Sequence, residues 1–293
     1  YAVPLVFGNL FQQLYHTVDS VVVGQFYGKE ALAAVGAAGP IMNILTFLIV
    51  GLSLGASILM ASYFGAKDYQ DLKDEFATSV LSGLLLTIVL SGISLAVGFA
   101  LATLLFVVIG VLFIRLTQTP EEISAQASLY LQIISLGLIF TFFYNIFSAA
   151  LRAIGDSRAP LYVLILTTVV NVFLDVFLVG ICHLGVPGAA IATIISQAVS
   201  ALALFVYIWS KVPLLRLGIR DLKLKTSMLK KTIDFSSISA VQQTILYVGR
   251  LLVQSGVNAL GVDAVAAFNA VSIIDSYVLA PGDSLAASIT TFS

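Results

Sequence analysis

The chain is built from one apolar stretch after another, each about as long as a bilayer is thick, and this alone removes most fold classes. A hydrocarbon core of ~30 Å takes about 20 residues of helix. Eight stretches meet that length, at approximately 3–25, 38–63, 78–100, 126–149, 160–182, 187–209, 233–257 and 264–293. In lipid, every backbone N–H and C=O must be satisfied within the protein, so such stretches read as helices. Only 10% of the residues are charged, against about 25% in a soluble domain, and the mean hydropathy is +1.06. The expected fold class is therefore all-α, a polytopic membrane protein. A further apolar segment, 101–116, is too short for another full crossing and reads as an extension of the third span or an interfacial stretch.

Lysine and arginine set the expected orientation. Eleven of the fourteen basic residues fall after the second, fourth and sixth spans: Lys67 and Lys73, Arg152 and Arg158, then Lys211, Arg216, Arg220, Lys223, Lys225, Lys230 and Lys231. The opposite loops hold Lys29 and Arg115, and Arg250 lies within the seventh span. The positive-inside rule places the first set in the cytoplasm, with the chain as a multi-pass protein of the inner (plasma) membrane. Residues 210–232 then form a cytoplasmic linker whose charges face solvent and lipid headgroups. A net charge of −1 points away from nucleic acid, and the single cysteine, Cys182, excludes an internal disulfide framework.

An internal repeat sets the domain organisation. Gly51-Leu52-Ser53-Leu54-Gly55-Ala56-Ser57-Ile58 matches Gly282-Asp283-Ser284-Leu285-Ala286-Ala287-Ser288-Ile289 at six of eight positions. Gly28-Lys29-Glu30-Ala31-Leu32-Ala33-Ala34 faces Gly261-Val262-Asp263-Ala264-Val265-Ala266-Ala267 in the same order. Each pair joins an odd span to an even one, so the copies are parallel and six spans apart. Residues 1–209 are expected to form a first lobe of six helices, 210–232 the linker, and 233–293 the first two helices of a second lobe. Two six-helix lobes imply twelve spans, of which about four lie beyond this sequence.

Polar residues inside the spans are the candidates for chemistry, because an acid at mid-membrane costs about 2.5–3.5 kcal/mol even on the mildest scale. Asp19 in the first span extends a polar stripe with Tyr15 or His16 one turn back and Gln12 two turns back. Asn171 and Asp175 lie one turn apart in the fifth. An acid, an acid–amide pair and their oxygens suit a sodium ion or a buried proton. Asp275 and Asp283 in the eighth span, with Pro281-Gly282 between them, are candidates for a substrate cleft. Arg152, Asp156 and Arg158 read as a loop clasp, the Phe140–Tyr144 aromatics as packing, and Gly51 and Gly55 as a close helix contact.

Several of these segments resemble the multidrug and toxic compound extrusion (MATE) family. They are Val18-Asp19-Ser20-Val21-Val22-Val23-Gly24, Ala31-Leu32-Ala33-Ala34-Val35-Gly36, Leu151-Arg152-Ala153-Ile154-Gly155-Asp156-Ser157-Arg158-Ala159-Pro160, Asn171-Val172-Phe173-Leu174-Asp175 and Gly188-Ala189-Ala190-Ile191-Ala192-Thr193. The resemblance implies two six-helix lobes around a cleft and export of amphipathic, often cationic compounds in exchange for Na+ or H+. In the prokaryotic branch with an acid in the first helix, it implies a cation site at Asp19, Asn171, Asp175 and Thr193, with Na+ as one occupant. It also implies a bending point at Pro4, where the missing N–H makes a hinge reasonable.

The second lobe departs from a family variant with a glutamate in the seventh helix, since Val241-Gln242-Gln243-Thr244 holds no acid. The resemblance implies a monomer with no organic cofactor, in contact with membrane lipid and a small-molecule substrate. A flippase for a lipid-linked or polysaccharide precursor is the alternative. It calls for a basic cleft, and Arg250 is the only basic residue inside a span. A non-transporting scaffold leaves the paired acids unexplained, and no nucleophile–base pair suggests an enzyme.

Overall fold

The computed structural model describes the backbone of residues 2–102 and 121–292, and among these every regular element is helical. The order is α1 (Ala2–Gly65), α2 (Tyr69–Ala102), α3 (Glu121–Ala153), α4 (Arg158–Asp175), a π-helical turn (Val176–Ile181), α5 (Gly185–Lys211), α6 (Thr226–Asn258) and α7 (Val262–Phe292). Six segments of the described residues are long and apolar enough to cross a membrane: Leu45–Gly65, Tyr69–Ala96, Ala125–Ala153, Arg158–Ile181, Gly185–Lys211 and Val262–Ala280. All but the first two residues of the segment 101–116 lie outside the described residues.

The interior and exterior are inverted relative to a soluble bundle. On α4, Tyr162, Leu166, Val169 and Phe173 are exposed at steps of three and four, while Leu164, Thr167, Thr168, Asn171 and Asp175 are buried. One face thus offers hydrocarbon to lipid while the other gathers the polar groups inside. Leu202, Phe205, Val206 and Trp209 give α5 a similar apolar exterior.

The first two expected spans are limbs of one element, broken at a single residue. Gly28 adopts φ 78° and ψ −169° inside α1, a conformation open to glycine because it lacks a Cβ. No multi-residue loop separates the limbs, so the expected gap between 25 and 38 closes to a corner. The matching corner comes 233 residues later, where Gly261, at φ 96°, leads into α7. The two copies meet there. Ala33, Ala34 and Ala37 pack with Val265, and a Cβ on Gly36 would lie 2.8 Å from the Asn269 side chain. Residues 36 and 269 have the same 233-residue offset as the corner glycines. Lys29 Nζ pairs with Asp263 Oδ1 at 2.6 Å across the junction.

At the other end of the bundle, α2 starts at Tyr69, well before the expected position 78. Lys73, Asp74 and Glu75 interrupt the apolar pattern, which is why the sequence reads as a loop there. The helix is nonetheless secured by Asp68, whose Oδ1 accepts from Asp71 N at 3.1 Å, and by Leu72 and Phe76, one turn apart and both buried in the main core with Met60, Phe142 and Leu151. Gly83 gives Phe142 its space, since a Cβ there would come within 2.0 Å of the ring.

The linker combines docking contacts with exposed charges, since Lys211, Arg220, Lys223, Lys230 and Lys231 are all exposed. It narrows to short 3-10 turns, Pro213–Leu215 and Ile219–Asp221, and Leu215 is buried in the main core. Lys73 pairs with Asp221 at 2.7 Å, and Lys225 pairs with Asp74. Thr78 Oγ1 accepts from Lys225 N at 3.2 Å.

Candidate functional site

Three helices bring their polar residues to one depth. Asp19 lies nine residues before the Gly28 corner, Asp175 ten before Gly185, and Thr193 eight after it. At 1.5 Å per residue, each is roughly 12–15 Å from that end of the bundle. The ends coincide because Gly180 and Gly185 admit the rings of Phe26 and Tyr27, just before the corner.

Asp19 is the centre of the cluster. It is buried, and Asn171 Nδ2 donates to its Oδ1 at 3.2 Å. Thr193 Oγ1 donates to Oδ2 at 3.1 Å. Asp175 and Asn171 are wholly buried, and the charged group acting on Asp175 is Asp19. Three oxygens of this cluster, Asn171 Oδ1 and both carboxylate oxygens of Asp175, have no hydrogen-bond donor. A buried acceptor without a donor is costly, and two facing carboxylates repel. A proton or a small hard cation at this point would relieve both costs, and oxygen-only donors fit such a cation. The four residues that the sequence singled out as a cation site are thus brought together.

An apolar layer closes the cluster on the corner side. Val22 and Val23 lie one turn beyond Asp19, Val179 one turn beyond Asp175, and Ala189 and Ala190 one turn before Thr193. All five belong to one buried patch with Tyr130 of α3. Tyr130 also feels both acids electrostatically, a placement no local motif of α3 announces. The π turn begins immediately after Asp175, with Cys182 N donating to Phe177 O at 2.8 Å across five residues. Such wide turns often occur at functional sites.

For the other expected residues, the structure describes less. Asp275 is exposed on α7, and no described contact joins it to the cluster. Asp283 lies on α7, and Gln12, Tyr15 and His16 on α1, but their side chains lie outside the described residues. Pro4 falls in the first turn of α1, whose only non-helical dihedrals are at Gly28. Tyr277, unnoticed in the sequence, makes a hydrogen bond of 2.9 Å between its hydroxyl and Thr17 Oγ1, bringing α7 beside the first limb of α1.

Arg152, Asp156 and Arg158 frame a clasp outside the cluster, as the sequence suggested. Asp156 Oδ1 accepts from Arg158 N and Ala159 N at 3.2 and 3.1 Å, opening α4. Its Oδ2 accepts from Tyr207 Oη at 2.8 Å. The aromatic run is packing at Phe142, which is fully buried.

A third buried acid was missed. Glu75 is fully buried at the linker end of the bundle, where the sequence reads as a charged loop. Its Oε1 lies 2.9 Å from Ser79 Oγ and 2.6 Å from Thr232 Oγ1 of α6. The signal was available in principle, since Leu72, Phe76 and Ser79 place Glu75 on the inward face of a helix begun at Tyr69.

A family model described as MatE matches residues 4–177, more than half of the chain. The chain belongs to that family. Among MatE-type relatives it is 30% identical over 304 residues to the probable multidrug resistance protein YoeA of Bacillus subtilis, covering 100% of this chain and 62% of the relative. It is 27% identical to the probable multidrug resistance protein NorM of Thermotoga maritima, covering 99% and 60%. The chain therefore spans about three-fifths of the length of these relatives. A solved MATE multidrug transporter, DinF-BH in complex with a small molecule, superposes with a TM-score of 0.85 at 26% identity, covering 98% of this chain and 62% of that one. The fold likeness to an outward-facing MATE structure has a TM-score of 0.84, with 99% of this chain and 62% of the other covered at 24% identity.

Proposed function

We propose that the full-length protein is a secondary antiporter that exports amphipathic, often cationic compounds by alternating access, with the Asp19 cluster as its cation-coupling site. The observation that carries this reading is the set of three donorless oxygens beside Asp19. Membership of a family whose relatives include proteins named for multidrug resistance supports the export role. The relative solved with a bound small molecule supports a substrate of that class.

In this reading, residues 1–209 are the first lobe, 210–232 a cytoplasmic linker and 233–293 the start of the second lobe. The linker end, with most of the lysines and arginines, faces the cytoplasm. Binding of Na+ or H+ at Asp19, Asn171, Asp175 and Thr193 removes the repulsion between the two acids and draws α1, α4 and α5 together. Coupling requires cation and exported compound to prefer different states, because equal affinity for both shifts nothing. Pro4 is a candidate bending point, while Gln12, Tyr15, His16, Asp275 and Asp283 are candidates for lining the cleft. The flippase alternative gains no basic cleft from the described residues.

The test is efflux from proteoliposomes containing the full-length protein, with sodium and pH gradients imposed separately. Asp19→Asn and Asp175→Asn should each abolish gradient-driven efflux while leaving the protein folded. Wild-type rates in both variants would sink the proposal. The gradient that drives the wild type identifies the ion.

A further inference from the structure

The third buried acid lies in a seam. Glu75 is on α2, six residues from its start, and Thr232 is on α6, six residues from its start. The seam is tight. A Cβ on Gly55 of α1 would lie 1.9 Å from Ser236 Oγ and 2.8 Å from Thr232 O, so α1 and α6 approach backbone to backbone there. Glu75 Oε2 is buried with no hydrogen-bond donor.

Counting protons shows what the seam needs. Thr232 Oγ1 is 2.6 Å from Glu75 Oε1 and 3.0 Å from Met228 O. A threonine hydroxyl has one proton to donate. If Glu75 were ionised, both of these neighbours would be pure acceptors, and one short O···O contact would hold no proton. The ionised form would also leave a charged oxygen, Oε2, buried without a donor, the costliest kind of orphan. A proton on Oε1 resolves every contact. The acid then donates to Thr232 Oγ1, the Thr232 hydroxyl donates to Met228 O, and Ser79 Oγ donates to Oε1 at 2.9 Å. Oε2 becomes a neutral carbonyl oxygen, whose burial costs far less.

The charges around it do not alter this count. From α6, Lys231 acts on Glu75 through space, but its ammonium is engaged with Tyr63 of α1, donating to the hydroxyl at 3.4 Å and lying 5.9 Å from the ring centroid. On α2 itself, Lys73 and Asp74 are paired with Asp221 and Lys225 of the linker. From α3, Arg152 acts on Tyr144.

We infer that Glu75 is a second proton-binding site, and that its proton holds the seam between α2 and α6 shut. Losing the proton leaves a buried carboxylate with too few donors, and parting of the helices hydrates it. This goes beyond the Asp19 cluster and stands whether or not that cluster is the coupling site.

The test uses the full-length protein in nanodiscs with native cysteines, Cys182 included, replaced by serine, and spin labels on Gln70→Cys of α2 and Lys230→Cys of α6, both exposed positions flanking the seam. Infrared spectra are recorded over the same pH series. In the wild type, the label distance should be short at low pH and lengthen as pH rises. A carboxylic-acid C=O band, missing from Glu75→Gln, should fade with the same midpoint. Glu75→Gln should keep the short distance throughout, since an amide can donate to Thr232 as the acid does. Thr232→Val should shift the band by removing its acceptor, which gives a second reading if Glu75→Gln folds poorly. A distance in Glu75→Gln that tracks pH as in the wild type would overturn the inference. So would spectra without a band dependent on Glu75 or Thr232 at the pH where the seam is shut.

Discussion

At the Asp19 cluster two acids share a pocket with an amide and a hydroxyl, whereas at the seam one acid stands between two hydroxyls. The difference lies in how many donors each place supplies. In the cluster, Asn171 and Thr193 direct their hydrogen bonds to Asp19, and three further oxygens are left over. That surplus asks for positive charge without specifying its form, so a proton and a sodium ion both answer it. At Glu75 the contacts fall short by a single proton. One proton completes them, and a metal ion would face hydroxyls already engaged. Buried acids in the same bundle can therefore differ in selectivity through donor count alone, with no difference in residue type.

The largest expected effect comes from separating the two places mechanically. Gly55→Leu should prevent the seam from closing, because even a Cβ collides with Ser236 and the Thr232 carbonyl. Overpacking costs of ~1–3 kcal/mol correspond to roughly fivefold to over a hundredfold in the closed population. Efflux by the full-length protein should collapse while cation binding at Asp19 persists. Loss of cation binding in this variant would show that the two regions are not independent.

A smaller effect is expected from Asn171→Ala, which removes the Nδ2 donor to Asp19 Oδ1. Leaving a buried acceptor unsatisfied costs about 1–3 kcal/mol. Melting of the detergent-solubilised protein should come earlier and cation affinity should drop, with the seam distance unchanged.

Smaller again is the response of the linker to pH, which guards the seam experiment against a trivial explanation. Lys73 beside Asp221 holds its carboxyl below the usual carboxylate value, so its share of docking is present at neutral pH and lost only as pH falls through that lowered value. Asp74 beside Lys225 holds the ammonium above its usual value, so that pairing persists below the ordinary lysine value and is lost only as pH rises through the raised one. Hydrogen-exchange protection across 212–225, taken relative to the intrinsic rate at each pH, should therefore stay flat between mildly acidic and mildly alkaline pH while the seam distance changes. Parallel changes would assign the movement to the linker.

The smallest effect should come from Lys29→Met at the corner. Both partners of that ion pair are largely exposed, 62% and 79%, and such pairs contribute about 0.2–1 kcal/mol. Stability in detergent and the seam distance should both stay close to wild type.

Much of the fold could be read in advance because lipid makes local pattern decisive. Residue types alone mark α4, α5 and the Gly28–Gly261 repeat, and single out Asp19, Asn171 and Asp175, while Thr193 entered through the family resemblance. Failures came where tertiary contacts outweigh local pattern. Lys73, Asp74 and Glu75 look like a loop because charge normally ends a span, and the partners Asp221, Lys225 and Thr232 that hold them in a helix lie some 150 residues away. Tyr130 and Tyr277 lie in ordinary apolar contexts, and their roles depend on neighbours that sequence spacing does not reveal. The π turn left no mark either, since a wide turn differs from an α turn by one residue of register.

That turn also changes what a deletion would mean. Residues 176–181 carry one more residue than an α-helical path over the same rise requires, and the turn still closes with Cys182 N donating to Phe177 O. Excising a single residue would let an ordinary α-helix form with its backbone still satisfied. Because the residue removed is the surplus one, the outer end would keep its orientation; straightening the turn to α geometry without a deletion would instead rotate everything downstream by about 100° relative to Asp175, turning Val179 away from the apolar layer that shields the acids. The helix thus contains an inserted phase angle, and the orientation of its outer end toward the cluster depends on that one surplus residue.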